Sequence, residues 1–430
     1  MTEREFAVDV VRRLREAGFQ ALWAGGCVRD QLLGLVPKDY DAATDARPEQ
    51  VRKVFHRTVA IGMSFGVVEV LGPRTAKGPL KVQVTTFRSD MSYSDGRHPD
   101  KVVFSSPKED ALRRDFTING MFFDPLENRL IDYVGGQEDL GARRLRAIGE
   151  PKVRFAEDKL RMLRAVRIAT AFELTIEPLT AAAIQGMADQ IAVVSAERIA
   201  EELRRLMASR HRARGIQLLD EVGLAKAILP ELSPMKESGD TQWHHVLKML
   251  DNLGPDSSFP LAFAALLHGI GKTRSVARRM AAEICHRLKL SNTERDRFEW
   301  LVEKHGFLAD PWQMRLCKLK ETLAHAGIHE LLALHRADAV AWGRSSAHVD
   351  FCEQLLRQWS AADLNPAPLL TGNDLVALRG LKPGPLFGQL LQAIREAQLD
   401  ETVSTREQAL DLVDRWIAEQ GAGGTRNIDS

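Results

Sequence analysis

Residues Ala24–Thr44, AGGCVRDQLLGLVPKDYDAAT, gather three chemical devices in one short span. The pair Gly25-Gly26 leaves backbone N–H groups open to a close-approaching phosphate. Arg29 follows and can clamp that phosphate. Then comes Asp39-Tyr40-Asp41. On a strand, the period of two sets both carboxylates on one face and Tyr40 on the other. Two hard oxygen ligands on one face suit Mg²⁺ held against a polyphosphate. Taken alone, the same residues also make a Gly-rich turn, a helix and an acidic turn.

Such groups need a rigid frame, and the flanking sequence supplies one. Phe6, Val10 and Leu14 predict a helix that ends at Gly18. Ala21–Ala24 reads as a strand. Val28–Leu33 reads as a helix whose N-terminus faces the glycine turn and favours an anion there. Asp39–Ala43 is the carboxylate strand, and Pro48 opens a short helix to Phe55. Strands are predicted at Val67–Leu71, Lys81–Phe87 and Lys101–Phe104. The fold class is α+β: a small mixed α/β head, then a mostly helical remainder.

Gly25, Gly26, Val28, Arg29 and Asp30, followed by Asp39 and Asp41 on the next strand, resemble the GGxVRD…DxD signature of the nucleotidyltransferase superfamily. The form is that of bacterial CCA-adding tRNA nucleotidyltransferases and poly(A) polymerases. Three further segments extend the resemblance. Tyr93–Pro99, by itself a polar loop between strands, resembles the family's flexible arginine-containing loop. Asp110–Asn119, DALRRDFTIN, resembles the family's RRDFTIN motif, which implies that Arg114 contacts the triphosphate and that the Asp-Thr-Asn set braces the site. Phe155–Phe172 reads as one amphipathic helix, with Asp158, Arg161, Arg164 and Arg167 recurring every three residues along one stripe. Alone it is a solvated charged face, though only Glu157 and Asp158 stand near as acidic partners. The stripe resembles the motif EDxxRxxRAxRF, which implies that Asp158 and Arg161 read the incoming base and that Arg164 and Arg167 hold phosphate. One departure is Gln83, where the family often has Glu; Glu69 on the neighbouring strand is a candidate substitute.

Apolar residues make up 44% of the 430-residue chain and charged residues 27%, ordinary for a protein with a real core. The net charge is +1, so nucleic-acid binding must come from a local patch. A candidate patch lies on a helix predicted over Ala196–Gly215, where Arg204, Arg205, Arg210, Arg212 and Arg214 cluster for RNA-backbone contact. The four cysteines are scattered, as expected for thiols of a reducing cytosol. No apolar run is long enough to cross a bilayer.

In the helical body, His245, His268-Gly269 and Asp338 resemble an HD metal-phosphohydrolase domain with pattern H…HD…D. Gly269 stands where the doublet's Asp belongs, so no working metal site is expected. Lys382–Pro385 predicts a sharp turn, and Gly421–Ser430 a disordered tail. The expected domains are a palm-like catalytic head over 1–145, a neck for base and RNA over 146–225 and a body and tail over 226–420.

The resemblance implies a cytoplasmic enzyme that transfers nucleotides without a template. Asp39 and Asp41 would hold Mg²⁺ as the catalytic pair, with ATP and CTP as substrates and tRNA as the acceptor. CCA addition is the first reading. Poly(A) polymerase, or a partial enzyme adding CC or A, is the alternative.

Overall fold

The structure, a computed structural model, describes residues 1–62, 66–76, 78–91, 101–237, 240–271, 273–379 and 385–423. The chain forms two compact units, one of residues 1–239 with 286–290, the other of residues 240–285 and 291–430.

The first unit opens with α1 (Glu3–Glu16), started by a capping box in which Thr2 and Glu5 satisfy each other's backbone amides. Its apolar stripe, Phe6, Val10, Val11 and Leu14, is buried, and Trp23 Nε1 donates to Ala7 O at 3.3 Å. A sheet runs through β1 (Ala21–Ala24), β2 (Asp41–Thr44), β3 (Thr58–Gly62), β4 (Val67–Thr75) and β5 (Gly78–Thr86). A separate hairpin pairs β6 (Arg88–Met91) with β7 (Lys101–Phe104), and β8 (Phe122–Asp124) and β9 (Arg129–Ile131) complete the main sheet. The strand order is β3-β4-β5-β2-β1-β8-β9. Asp41 faces Gln83 across the parallel β2–β5 pair, and Gln83 faces Glu69 across β4–β5. Two strand spacings, about 10 Å, therefore separate Asp41 from Glu69. Glu69 instead pairs with Lys81 at 3.0 Å. Two strands away from Asp41, its carboxylate is thus engaged by a lysine and not placed beside Asp41 as a residue at Gln83 would be.

The carboxylate strand begins at Asp41, two residues later than expected, and Asp39 is exposed in the bend before it. Tyr40 is buried with its ring 4.8 Å from Trp23, as the alternation predicted. Around the sheet lie α2 (Gly26–Leu32), α3 (Pro48–Val54), α4 (Pro107–Leu112) and α5 (Gly136–Gly141).

The predicted helix over 155–172 is two helices, α6 (Pro151–Glu157) and α7 (Leu160–Ala171). Asp158 is extended between them at φ −148°, ψ 106°. The helix predicted over 196–215 is likewise two, which with α8 (Pro178–Met187) gives α9 (Ala196–Met207) and α10 (Arg212–Glu221). Gly215 lets α10 pack closely, since a Cβ there would stand 2.6 Å from Leu206 and 2.9 Å from Thr170. Head and neck fold as one unit because tertiary bonds cross the predicted boundary. Arg154 Nη2 donates to Leu112 O at 2.8 Å, and Phe116 bridges to Ala147.

The second unit is helical among the described residues. The Tyr93–Pro99 loop and Lys382–Gly384 lie outside the described residues, and Pro385 begins a helix to Leu399. Residues 421–423 end the helix Arg406–Gly423, and the rest of the predicted tail lies outside the described residues. Among the described residues no helix is long and apolar enough to cross a membrane.

Gly136 opens α5 against the turn Thr117–Asn119, and a Cβ there would lie 2.3 Å from Thr117 O and 2.7 Å from Met121 Cγ. Gly136→Ala should cost about 1–3 kcal/mol by forcing that turn aside, read as a fall in Tm. Gly141→Ala meets nothing within 4 Å and should leave Tm unchanged or slightly raised. Equal losses in both variants would refute the close-approach argument.

Candidate active site

The glycine turn, one carboxylate of the pair and the arginine stripe line one cavity of about 500 Å³ in the first unit. Gly25 caps α2 with φ 75° and ψ −129°, a conformation only glycine adopts readily, and a Cβ would meet Arg114 Nη1 at 3.1 Å. Its own N–H donates to Met121 O at 3.3 Å. Gly25 is thus a conformational residue and not an amide donor to phosphate. Because the first intrahelical bonds run from Val28 and Arg29 to Gly25 O, the amides of Gly26 and Cys27 precede the helix ladder and face the turn.

Asn119 organises the arginines beside this turn. Its Oδ1 accepts from Arg29 Nη1 at 2.7 Å, its backbone O accepts from Arg114 Nη1 at 3.3 Å, and its Nδ2 donates to Asp115 Oδ1 at 3.1 Å. Arg29 also bonds Asp30 and lies 3.9 Å over the ring of Phe172. Asp110 holds two arginines at once, Arg113 on one oxygen and Arg114 on the other. Burial would raise its pKa, but the two guanidinium groups hold it below the usual range.

The stripe on α7 is paired throughout, contrary to the local reading of the sequence. Arg164 donates twice to Asp115 Oδ2, at 3.0 and 2.6 Å, and Arg167 Nε reaches buried Glu202 at 2.5 Å. Burial opposes the charge on Asp115, yet Arg164 keeps its carboxyl well below the ordinary carboxylate value. Arg161 bonds Glu157 and, at 3.0 Å, Arg154 O. Asp158 does not pair with Arg161. A residue missed in the sequence, Arg198 on α9, grips it through both oxygens at 3.2 and 2.7 Å. Leu160 N–H also donates to Asp158 at 3.0 Å. The cavity wall carries Arg29, Arg113, Arg114, Arg161, Arg164, Arg167, Arg198 and Arg205 against Asp41, Asp115 and Asp158. That excess of positive charge suits a polyphosphate.

The basic cluster divides. Arg205 reaches the cavity and pairs with Glu201 at 3.0 Å, as Arg204 does at 3.5 Å. Arg210 is exposed, and Arg214 pairs with Glu221 at 2.7 Å. Arg212 is fully buried at the start of α10, its Nε donating to Ser209 O at 2.9 Å. It cannot reach an RNA backbone and leaves the candidate set.

The carboxylate pair fits a divalent cation. Burial raises the Asp41 pKa; Arg114 lowers it and the charge of Asp39 raises it, leaving it at about 6. A bound cation relieves that penalty.

Residues 21–146 match the family "Poly A polymerase head domain" and residues 173–236 match "Probable RNA and SrmB- binding site of polymerase A". Residues 261–413 match tRNA nucleotidyltransferase domain 2. The CCA-adding enzyme of Bacillus pumilus is 31% identical over 426 residues, 96% of each chain. This chain belongs to the CCA-adding enzyme family. The family's Bacillus subtilis member is also 31% identical, over 424 residues covering 96% of this chain and 98% of that one. The crystal structure of the Bacillus stearothermophilus CCA-adding enzyme in complex with CTP aligns with TM-score 0.79 at 27% identity, over 98% of this chain and all of that one. The chain is accordingly a nucleotidyltransferase, and enzymes of this class use a divalent metal.

A carboxyl whose folded pKa lies above its unfolded value costs stability once it ionises. In metal-free protein, Asp41→Asn should therefore raise Tm by roughly a few degrees at pH 8, above the value of about 6, and leave it nearly unchanged near pH 4. Mg²⁺ should shrink the difference at pH 8 by stabilising the wild type alone. Thermal melts at the two pH values check this; a lower Tm for the variant at pH 8 would contradict it.

Proposed function

We infer that this enzyme adds C, C and A to the 3′ end of tRNA from CTP and ATP, releasing pyrophosphate. One observation carries the reading. The glycine turn, Asp41, the arginine set and Asp158 converge on one cavity, in a chain whose curated relatives match over nearly its whole length as CCA-adding enzymes. That full-length match, together with the tRNA nucleotidyltransferase domain over 261–413, disfavours the poly(A) alternative.

Asp39 and Asp41 are the catalytic pair and hold the cation, which we take to be Mg²⁺. Bound there, it supplies Lewis-acid charge at the α-phosphate and eases ionisation of the RNA 3′-hydroxyl. The chain's own groups do the rest by position and electrostatics. Gly26 offers an amide at the start of α2, and Gly25 gives the turn its shape. Arg29, Arg114, Arg164 and Arg167 bear on the triphosphate, each already oriented by an acid, an amide or a ring. Arg204, Arg205, Arg210 and Arg214 are the remaining candidates for RNA contact.

Asp158 and Arg161 read the base. The carboxylate accepts from the exocyclic amino group that C and A share and U lacks. The guanidinium donates to the adjacent ring nitrogen. Guanine presents O6 and N1–H on that edge, the reverse pattern. The two residues are separated by a helix start, so Arg198, not helical spacing, sets the direction of the carboxylate. Within this scheme the head, to about 145, supplies the chemistry and the neck, from about 146 to 225, supplies base and RNA contacts, both inside one compact unit.

The defining experiment extends tRNA lacking its last three nucleotides with each NTP alone and all together. Defined CCA ends support the reading; long A tails, or CC or A alone, refute it. Asp39→Ala and Asp41→Ala should abolish incorporation in folded protein. Asp158→Ala should relax discrimination against UTP by about ten- to a hundredfold in kcat/KM ratios. Arg164→Lys keeps a partner for buried Asp115 but loses the two-bond grip, so it should weaken all four NTPs alike. If Asp158→Ala lowers all four equally, Asp158 is only an ion-pair partner of Arg198.

A further inference from the structure

The second unit holds a cluster that the nucleotidyl-transfer chemistry does not use. His245 lies on the helix Asp240–Asn252, and His268 ends the helix Phe259–Leu267. His305 follows the helix Asn292–Lys304, and Asp338 lies on the helix Ile328–Ala341. One ligand atom each from His245, His268 and Asp338 falls within 4.8 Å of the others. His245 Nε2 is 2.8 Å from Asp338 Oδ1, and His305 Nε2 is 3.9 Å from the same oxygen.

We propose that His245, His268 and Asp338, with His305 as the fourth donor, bind a single divalent ion of the zinc–cobalt–nickel class in a closed, non-hydrolytic site. Two features point to a ligand and not to a plain hydrogen-bonded core. First, His268 Nδ1 lies 2.8 Å from Ala265 O. Donating there fixes the tautomer and leaves Nε2 with a bare lone pair, the arrangement that metal-binding histidines use. Second, Asp338 faces imidazoles at His245, His305 and His268, so one carboxylate is shared by more nitrogen donors than a single hydrogen bond needs.

The geometry is close to a loaded site. Bonds of about 2.0–2.1 Å in a tetrahedron set donors about 3.3 Å apart. Separations of at most 4.8 Å among His245, His268 and Asp338 close to that by small side-chain rotations, and His305, with Nε2 3.9 Å from Asp338 Oδ1, would turn further inward to join them. Imidazole nitrogens with one carboxylate favour zinc, cobalt or nickel over magnesium. Gly269 contributes no oxygen beside His268, which argues against a second ion. With His305 as fourth donor no position stays open for water, the mark of a structural site. The ion would tie four helices together. Such a site would hold an ion where Gly269 breaks the HD pattern.

The test uses the full chain carrying Asp39→Ala and Asp41→Ala, so that the head carboxylates hold no ion. After chelator stripping, Co²⁺ is added alone and the visible spectrum, bound metal per chain and Tm are read. One equivalent of tightly held Co²⁺, intense tetrahedral d–d bands and a Tm raised by roughly 3–5 °C are expected. His268→Gln and Asp338→Asn, each checked by circular dichroism, should lose the bands and the Tm response. His305→Gln should keep binding but weaken it and shift the bands, as water takes the fourth position. Absence of stoichiometric binding, or binding unchanged in His268→Gln and Asp338→Asn, would return the cluster to a hydrogen-bonded core. Zn²⁺-, Ni²⁺- or Co²⁺-dependent ring opening of 2′,3′-cyclic nucleotides to nucleoside monophosphates, lost in His268→Gln, would overturn the closed, non-hydrolytic site.

Discussion

Eight arginines crowd the wall of one cavity, and the first unit is built around keeping them there. Like charges at such density repel, and a guanidinium taken out of water without a partner costs several kcal/mol. The chain answers with a carboxylate for each. Asp110 serves Arg113 and Arg114; Asp115, Glu202 and Asp158 serve Arg164, Arg167 and Arg198; Asp30, Glu157 and Glu201 serve Arg29, Arg161 and Arg205. Several of these acids are buried behind the wall, Asp110 and Glu202 most deeply. The cavity surface stays positive while the interior stays close to neutral.

Pairing of this kind fixes direction more than it adds stability. A carboxylate that accepts two guanidinium bonds sets the plane of the arginine. The guanidinium groups along the cavity are therefore held in place before any substrate arrives. Asn119 extends the same logic to Arg29, Arg114 and Asp115 with one side chain and one carbonyl. Electrostatic stabilisation is strongest when donors need no reorganisation during the reaction, and this wall is arranged in advance.

Negative charge meets the opposite situation. Asp39 and Asp41 are neighbours without a shared guanidinium grip, and Asp41 is displaced upward in pKa. The free protein therefore carries a local cost that a cation removes. Cys27 adds to the tight backing of this strand, its Sγ 3.4 Å from Ala24 O and 3.8 Å from Asp41 O. Asp41 thus lines the same cavity as the arginines while lying next to the charge of Asp39.

Local chemistry was legible in the sequence. The glycine turn, the alternation of Asp39-Tyr40-Asp41 and the apolar stripe of the first helix depend on backbone sterics and on periods of 2 and 3.6, which neighbours in sequence determine. Their placement followed, within two residues at the carboxylate strand. What tertiary structure decided were the partners. Arg164 finds Asp115 across 49 residues and Asp158 finds Arg198 across 40, so a stripe read as short of acids is fully paired. The break at Asp158 and the burial of Arg212 belong to the same class. A helix continues or stops, and an arginine is exposed or enclosed, according to what packs beside it. So too with His245, His268 and Asp338: the sequence spreads them over 94 residues, and only the packing of separate helices brings their donor atoms within 4.8 Å.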